Sequence, residues 1–161
     1  MSKSFKPLMT TLATALAVAL PAVAQARPVT MAIPLKNYGG DGAYLAVYVT
    51  DAKGAYVRTL WVAGGKAKYY KHLADWNRLS AGDSKRLQGV TGASVGAGRT
   101  LKVTADLADA LIDAGYEIRI DAAAEDMRDS PSEVRAPLNA ANAGKAHTGK
   151  QYIQSLTYQL P

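Results

Sequence analysis

Apolar residues alternate with polar or aromatic ones over several short segments of this chain, and alternation with a period of two is typical of β-strands. On this ground strands are predicted at 29–35, 43–49, 56–62, 101–105, 116–121 and 152–158. The turn-forming residues 51–54 separate the second and third of these segments, so the two are predicted to form a β-hairpin. A weaker strand is predicted at 133–138, where Pro137 restricts it to a sheet edge.

The period of the apolar residues changes between residues 66 and 79. There Tyr69, Leu73 and Trp76 recur at helical spacing, which predicts a short helix packed on the sheet. Residues 80–98 are rich in Gly, Ser, Ala and Thr and show no period, so a long loop is expected. Residues 106–115 fit either a helical turn or an irregular connection.

Short strands separated by turns, with one small helix, predict an all-β fold of the immunoglobulin-like β-sandwich type that carries a long Gly/Ser/Thr-rich loop. The chain contains no cysteine. The predicted sandwich therefore lacks the disulfide of antibody domains and must be held by packing. The same fact excludes thiol chemistry and cysteine-bound metals.

The N-terminus predicts export. Lys3 and Lys6 precede an apolar stretch, and the small residues Ala24 and Ala26 follow it, which is the order of a secretory signal cleaved after Ala26. We therefore expect a signal peptide at 1–26, a single β-sandwich domain at 27–161 and a periplasmic location. The stretch is too short and too interrupted for a membrane span.

The charge of the chain argues against a nucleic-acid partner. Removal of the two signal lysines lowers the formal net charge from +6 to +4, and the remaining cations are scattered along the sequence. A nucleic-acid-binding protein normally concentrates its cations on one face.

Few residues suggest catalysis or metal binding. The two histidines, His72 and His147, are far apart, and Asp75 three residues after His72 predicts a surface pair on the helix. Glu125 and Asp126 are predicted to be solvated loop residues. Serine-nucleophile, phosphate-loop and dinucleotide motifs are missing from the sequence. We therefore predict no catalytic residue and no metal site, and a redox carrier or binding protein rather than a stand-alone enzyme.

Tyrosines are unusually frequent, with nine in the chain. Tyr44 and Tyr48 fall on one face of a predicted strand, where they either cover the outer face of the sheet or contact a flat ring ligand. The long loop contains Thr91, Gly92, Ala93 and Ser94, in which two hydroxyl residues flank two small ones. This run is either a flexible turn or a recognition motif.

The segments 56–62, 68–70, 73–76, 90–94, 111–118 and 122–125 together resemble an exported bacterial family, domain of unknown function 2271. The resemblance spans about residues 31–125. It implies a periplasmic protein found beside inner-membrane proteins with PepSY domains and beside periplasmic flavin transferases, in systems for electron transfer and iron acquisition.

The run 91–94 is also similar to the acceptor motif of flavin transferases. That similarity implies FMN bound covalently through a phosphoester to Ser94, with Thr91, Gly92 and Ala93 as the recognition frame. Gln88 occupies the place where the motif usually has an aspartate. The alternative is a non-enzymatic periplasmic β-sandwich that binds a protein partner, a haem or a metal chelate and carries no flavin.

Overall fold

The computed structural model describes residues 25–82 and 87–161. The predicted signal peptide lies almost entirely outside these residues. The described part forms nine strands: β1 (Ala26–Pro34), β2 (Tyr44–Thr50), β3 (Tyr56–Ala63), β4 (Thr91–Gly92), β5 (Thr100–Ala108), β6 (Glu117–Ala123), β7 (Ser130–Pro137), β8 (His147–Thr148) and β9 (Ser155–Gln159). None of its helices has the length and apolar character needed to cross a membrane.

The strands form two sheets. One has the order β5-β1-β9-β8 and is antiparallel throughout, and the other has the order β4-β3-β2-β6-β7. In the second sheet only the short strand β4 runs parallel to its neighbour, β3. Strand β7 lies at the edge of this sheet, as Pro137 predicts, because proline lacks the N–H that a further strand would need.

The inner faces of the two sheets enclose one apolar core. The first sheet contributes Met31 and Ile33, and the second contributes Val47 and Ile120, all fully buried. The alternation read from the sequence places these residues on the inner faces. The prediction of an all-β sandwich is therefore confirmed, and so is the β2–β3 hairpin.

A second apolar layer covers the outer face of the five-stranded sheet. It consists of a 3-10 helix (Ala67–His72) followed by the α-helix α1 (Ala74–Leu79). Leu73 and Trp76 from this segment pack on Ala46 and Tyr48 of β2. Strand β2 is consequently buried on both faces. The helix predicted at 66–79 is divided in two, because Leu73 leaves the helical conformation with ψ of 70°.

The buried carboxylate of Asp121 attaches α1 to the sheet. One oxygen accepts hydrogen bonds from the Tyr48 hydroxyl at 3.0 Å and from the Ser132 amide at 2.8 Å. The other oxygen accepts from the amide of Trp76 at 2.7 Å, in the first turn of α1. Burial raises the pKa of Asp121, and these hydrogen bonds oppose that rise. A single side chain of β6 thus links β2, β7 and α1.

A second buried carboxylate links the two sheets. Glu133 of β7 is 1% exposed, and its Oε1 accepts hydrogen bonds from the four successive amides of residues 150–153 at 2.7–3.0 Å. Its other oxygen accepts from the hydroxyl of Ser130. Since residues 150–153 lead into β9, this contact connects the edge of the second sheet with the first sheet.

The predicted loop at 80–98 has more structure than expected where it is described. Strand β4 pairs with β3, and Val95 forms an antiparallel bridge with Ala43. The ambiguous segment 106–115 contains the end of β5 and a 3-10 helix (Asp109–Leu111). Residues 139–150 contain a further 3-10 helix (Ala140–Asn142) and β8.

Replacing Glu133 with alanine is expected to lower the free energy of unfolding by more than about 3 kcal/mol, because four backbone amides lose their acceptor and an unsatisfied buried donor costs about 1–3 kcal/mol. Glu133→Gln keeps one carbonyl oxygen and should lose about 1–2 kcal/mol. Urea denaturation measures both. Glu125→Ala, at an exposed position, is the control, and equal midpoints for the two alanine variants would contradict the role of Glu133.

Asp121→Asn is expected to lower the free energy of unfolding by about 1–3 kcal/mol, since the amide NH₂ group must face one of the amide or hydroxyl donors that now bind the carboxylate. The loss should appear in urea unfolding followed by tryptophan fluorescence, which reports on Trp61 and Trp76. Asp106→Asn on the exposed side of β5 makes the same chemical change without buried partners. An Asp121→Asn midpoint as high as that of this control would refute the link.

Candidate functional site

A cavity of about 760 Å³ opens at one end of the five-stranded sheet, where β2 begins and β6 ends. The 3-10 helix before α1, the segment after β4 and the β6–β7 loop surround it. We call it the tyrosine cavity, after two of its lining residues: Tyr44, Tyr69, Lys66, His72, Ser94 and Asp129 are among those that line it.

The backbone around Ser94 is fixed on both sides. Gly64 of the chain after β3 donates its amide to the carbonyl of Gly92 at 2.8 Å. Beyond Ser94, Val95 and Ala43 exchange two amide–carbonyl hydrogen bonds of 2.7 and 2.9 Å. The run 91–94 is therefore an ordered edge segment that crosses from β3 to the start of β2. The interpretation of this run as a flexible turn is wrong.

The four residues of the motif have different surroundings. Ala93 and Ser94 are exposed and line the tyrosine cavity. Thr91 is exposed but does not line it. Gly92 lies against the indole of Trp61, and a Cβ at this position would come within 2.6 Å of Cζ2 of that ring. Glycine at position 92 is thus required by packing, while Ser94 is an exposed lining residue of the cavity.

Tyrosine rings form one wall of the cavity. Tyr44 and Tyr69 meet edge to face with their centroids 5.7 Å apart. Tyr44 also rests on Gly64, where a Cβ would lie 2.0 Å from its ring. The hydroxyl of Tyr70 donates to the carbonyl of Gly64 at 2.8 Å, and this hydrogen bond holds the backbone on which the Tyr44 ring rests. Tyr48 shares the outer face of β2 with Tyr44, as predicted, but it is fully buried beneath α1.

His72 binds Asp129, and the predicted pair with Asp75 is wrong. His72 Nδ1 lies 3.1 Å from Asp129 Oδ2 in the β6–β7 loop, and both residues line the cavity. The 3-10 helix ends at His72, so the spacing to Asp75 does not lie within one helix. Asp75 instead accepts from Arg78 at 3.0 Å and from the Ser132 hydroxyl at 2.8 Å.

The pKa of Asp75 reflects these partners. Burial alone would raise it, but the hydrogen bonds from Arg78 and Ser132 outweigh burial and hold the pKa below its usual value. Asp75 is therefore ionised at neutral pH. It supports α1 and the β7 start and does not line the tyrosine cavity.

The lining of the tyrosine cavity is acidic. It includes the carboxylates Asp41, Glu125, Asp126 and Asp129 against the single lysine Lys66, with His72 also in the lining. Glu125 and Asp126 are exposed loop residues, as predicted, but the fold brings them to the cavity. Within residues 25–82 and 87–161, no group of three His, Cys, Asp or Glu side chains is placed to hold a metal ion.

The arrangement offers aromatic surface, the aliphatic hydroxyl of Ser94 and a histidine oriented by a carboxylate. Sequence reasoning missed Tyr69, Asp129 and Gly64 as parts of this site. Tyr69 fits the helical period expected of a packed residue, and the sequence around Asp129 shows no period. Gly64 and Gly65 follow a predicted strand, and nothing in the sequence indicates that the absence of a side chain at Gly64 makes room for the Tyr44 ring.

The comparisons with known proteins identify a family and no individual relative. Neither the curated proteins nor the solved structures contain a match to this chain. One family model, described as a predicted periplasmic protein (DUF2271), matches residues 26–155, which is most of the chain. The match includes every residue that we name in the tyrosine cavity. The chain therefore belongs to the DUF2271 family of periplasmic proteins.

Proposed function

We propose that this periplasmic protein carries FMN, bound through a phosphoester to Ser94, as an accessory protein of a membrane electron-transfer or iron-acquisition system. One observation carries the proposal. Ser94, the exposed last residue of the acceptor-like run 91–94, lines a cavity with a tyrosine wall.

The space around Ser94 suits a phosphoester. Gly42 faces its hydroxyl, and a Cβ at position 42 would lie 2.8 Å from Ser94 Oγ. A larger residue there would cover the acceptor atom. Ala93 is small as well, so neighbouring side chains leave the hydroxyl open to an approaching enzyme. Strand β4 lies at the edge of its sheet, which leaves one side of its backbone open to contact with a transferase.

The cavity also suits a flat ring system. Its volume of about 760 Å³ is within the range of about 300–1,000 Å³ typical of small-molecule sites. Tyr44 and Tyr69 offer aromatic surface for stacking or edge contacts. A bound flavin would supply the electron-transfer chemistry, while these residues would bind the ring and restrict water around it.

The attachment requires a flavin dinucleotide and a transferase. Ser94 Oγ forms a bond to the flavin-side phosphorus, the bond from that phosphorus to the bridging oxygen breaks, and the nucleoside monophosphate leaves. The hydroxyl proton passes to solvent or to a base of the transferase. The family resemblance suggests a periplasmic flavin transferase for this step and a PepSY-type inner-membrane protein as the electron-transfer partner.

We expect a mass increase of one FMN group when the exported protein is produced together with a periplasmic flavin transferase. Ser94→Ala should abolish the increase, and Ser94→Thr should keep it because a hydroxyl remains. Thr100→Ala, which removes an exposed hydroxyl outside the motif, is the control. Intact-protein mass spectrometry checks all four proteins. A wild-type protein without the added mass, or an unchanged increase in Ser94→Ala, would refute the proposal.

A second candidate function is reversible binding of a haem or a metal chelate without flavin. The acidic lining favours it, since four carboxylates repel the phosphate of FMN but attract a cationic metal centre. The contact between His72 Nδ1 and Asp129 is the arrangement that orients many metal-binding histidines, because it directs the other ring nitrogen to the metal.

If this second function is correct, titration with haem or a ferric chelate should change the absorbance spectrum of the flavin-free protein in a saturable way. His72→Ala should weaken the binding at least about tenfold, since removal of a ligand or its partner has effects of that size. His147→Gln, a histidine of the other sheet, should leave it unchanged. Flat titrations with both compounds would eliminate the candidate.

A further inference from the structure

A second concavity lies at the opposite end of the same sheet. It has a volume of about 570 Å³ and lies between the β2–β3 turn, the end of α1 and the strands β6 and β7. Because Tyr44 pairs with Ala123 and Thr50 pairs with Glu117, the two ends are six residues apart along β2. That spacing corresponds to about 20 Å.

Four cationic side chains line this concavity: Lys53, Arg78, Arg119 and Arg135. We call it the arginine concavity. Glu117 is the single carboxylate in its lining. Even with Asp75 bound to Arg78 nearby, the cations exceed the carboxylates. Four cations gathered at one recess repel one another, so the recess is favourable for an anion.

Arg119 is the most firmly held of the four. Its side chain is 10% exposed, and its Nη2 lies 2.9 Å and its Nε 3.0 Å from Glu117 Oε2. Arg135 approaches the same carboxylate oxygen through Nε at 3.6 Å. Glu117 therefore orients two guanidinium groups side by side. Guanidinium groups fixed in this way are suited to bidentate contacts with oxyanions.

Small residues keep the arginine concavity open. Ala52, Gly54 and Ala55 of the β2–β3 turn form one side. Gly54 has φ of +83°, and a Cβ there would lie 3.4 Å from Nη2 of Arg119. The positive φ fits the turn, and the missing side chain leaves room beside Nη2 of Arg119.

We propose that the arginine concavity binds a phosphate group. The lining has four cations and one carboxylate, so the two negative charges of a phosphate dianion neutralise it better than the one charge of a carboxylate ligand. The phosphate oxygens can also bind more than one guanidinium group at once. The phosphate can belong to a small soluble phosphate ester or to a phospholipid headgroup. This site is separate from the tyrosine cavity, and the inference does not depend on the flavin proposal.

Binding is tested with the flavin-free mature protein. Isothermal titration uses inorganic phosphate, pyrophosphate and glycerol phosphate as soluble probes. Co-flotation uses vesicles of phosphatidylcholine with and without phosphatidic acid as the lipid probe. Arg135→Gln and Lys53→Gln remove exposed cations of the site while leaving the buried Arg119 in place. Arg99→Gln and Lys102→Gln, exposed cations elsewhere, remove the same charges and control for the net charge of the protein.

We expect saturable binding of at least one probe, weakened about tenfold by each site variant and unchanged in the matched controls. Binding of the soluble probes alone would identify a free phosphate ester as the ligand, and binding of the phosphatidic acid vesicles alone would identify a headgroup. No binding to any probe would overturn the proposal. Equal weakening in all four variants would also overturn it, because it would show attraction by net charge only.

Discussion

The contact between Glu133 and four successive backbone amides is the interaction on which the sandwich depends most. A chain without cysteine cannot join its sheets through a disulfide, and apolar packing alone does not fix how one sheet lies over the other. Hydrogen bonds to the carboxylate of Glu133 fix the position of β7 relative to β9, since its Oε1 accepts from the amides of residues 150–153, which lead into β9. Burial strengthens these charge-assisted bonds and makes their loss costly.

Asp121 performs the corresponding task for the outer layer, and the tyrosine cavity depends on it. By accepting from Trp76, it fixes the start of α1 on the sheet. The 3-10 helix that carries Tyr69 and His72 directly precedes α1 and is positioned with it. Asp121 thus helps to determine where Tyr69 and His72 lie in the cavity. Asp121 itself does not line the cavity.

The sequence predicts the sheets of this protein better than its site, for a physical reason. Alternation records which side of a strand is buried, so the β2–β3 hairpin and the edge strand with Pro137 could be predicted locally. The pair of His72 and Asp129 joins residues 57 positions apart, and no local period reports such a contact. Asp121 and Glu133 were missed because a single acid in a strand is usually solvated, and only the covering layers make these two buried.

The two concavities lie at opposite ends of the five-stranded sheet, and their linings have opposite charge. Carboxylates predominate around the tyrosine cavity, and arginines predominate at the other end. The separation of about 20 Å exceeds twice the Debye length of about 8 Å at physiological ionic strength. Each end therefore acts on charged partners almost independently of the other.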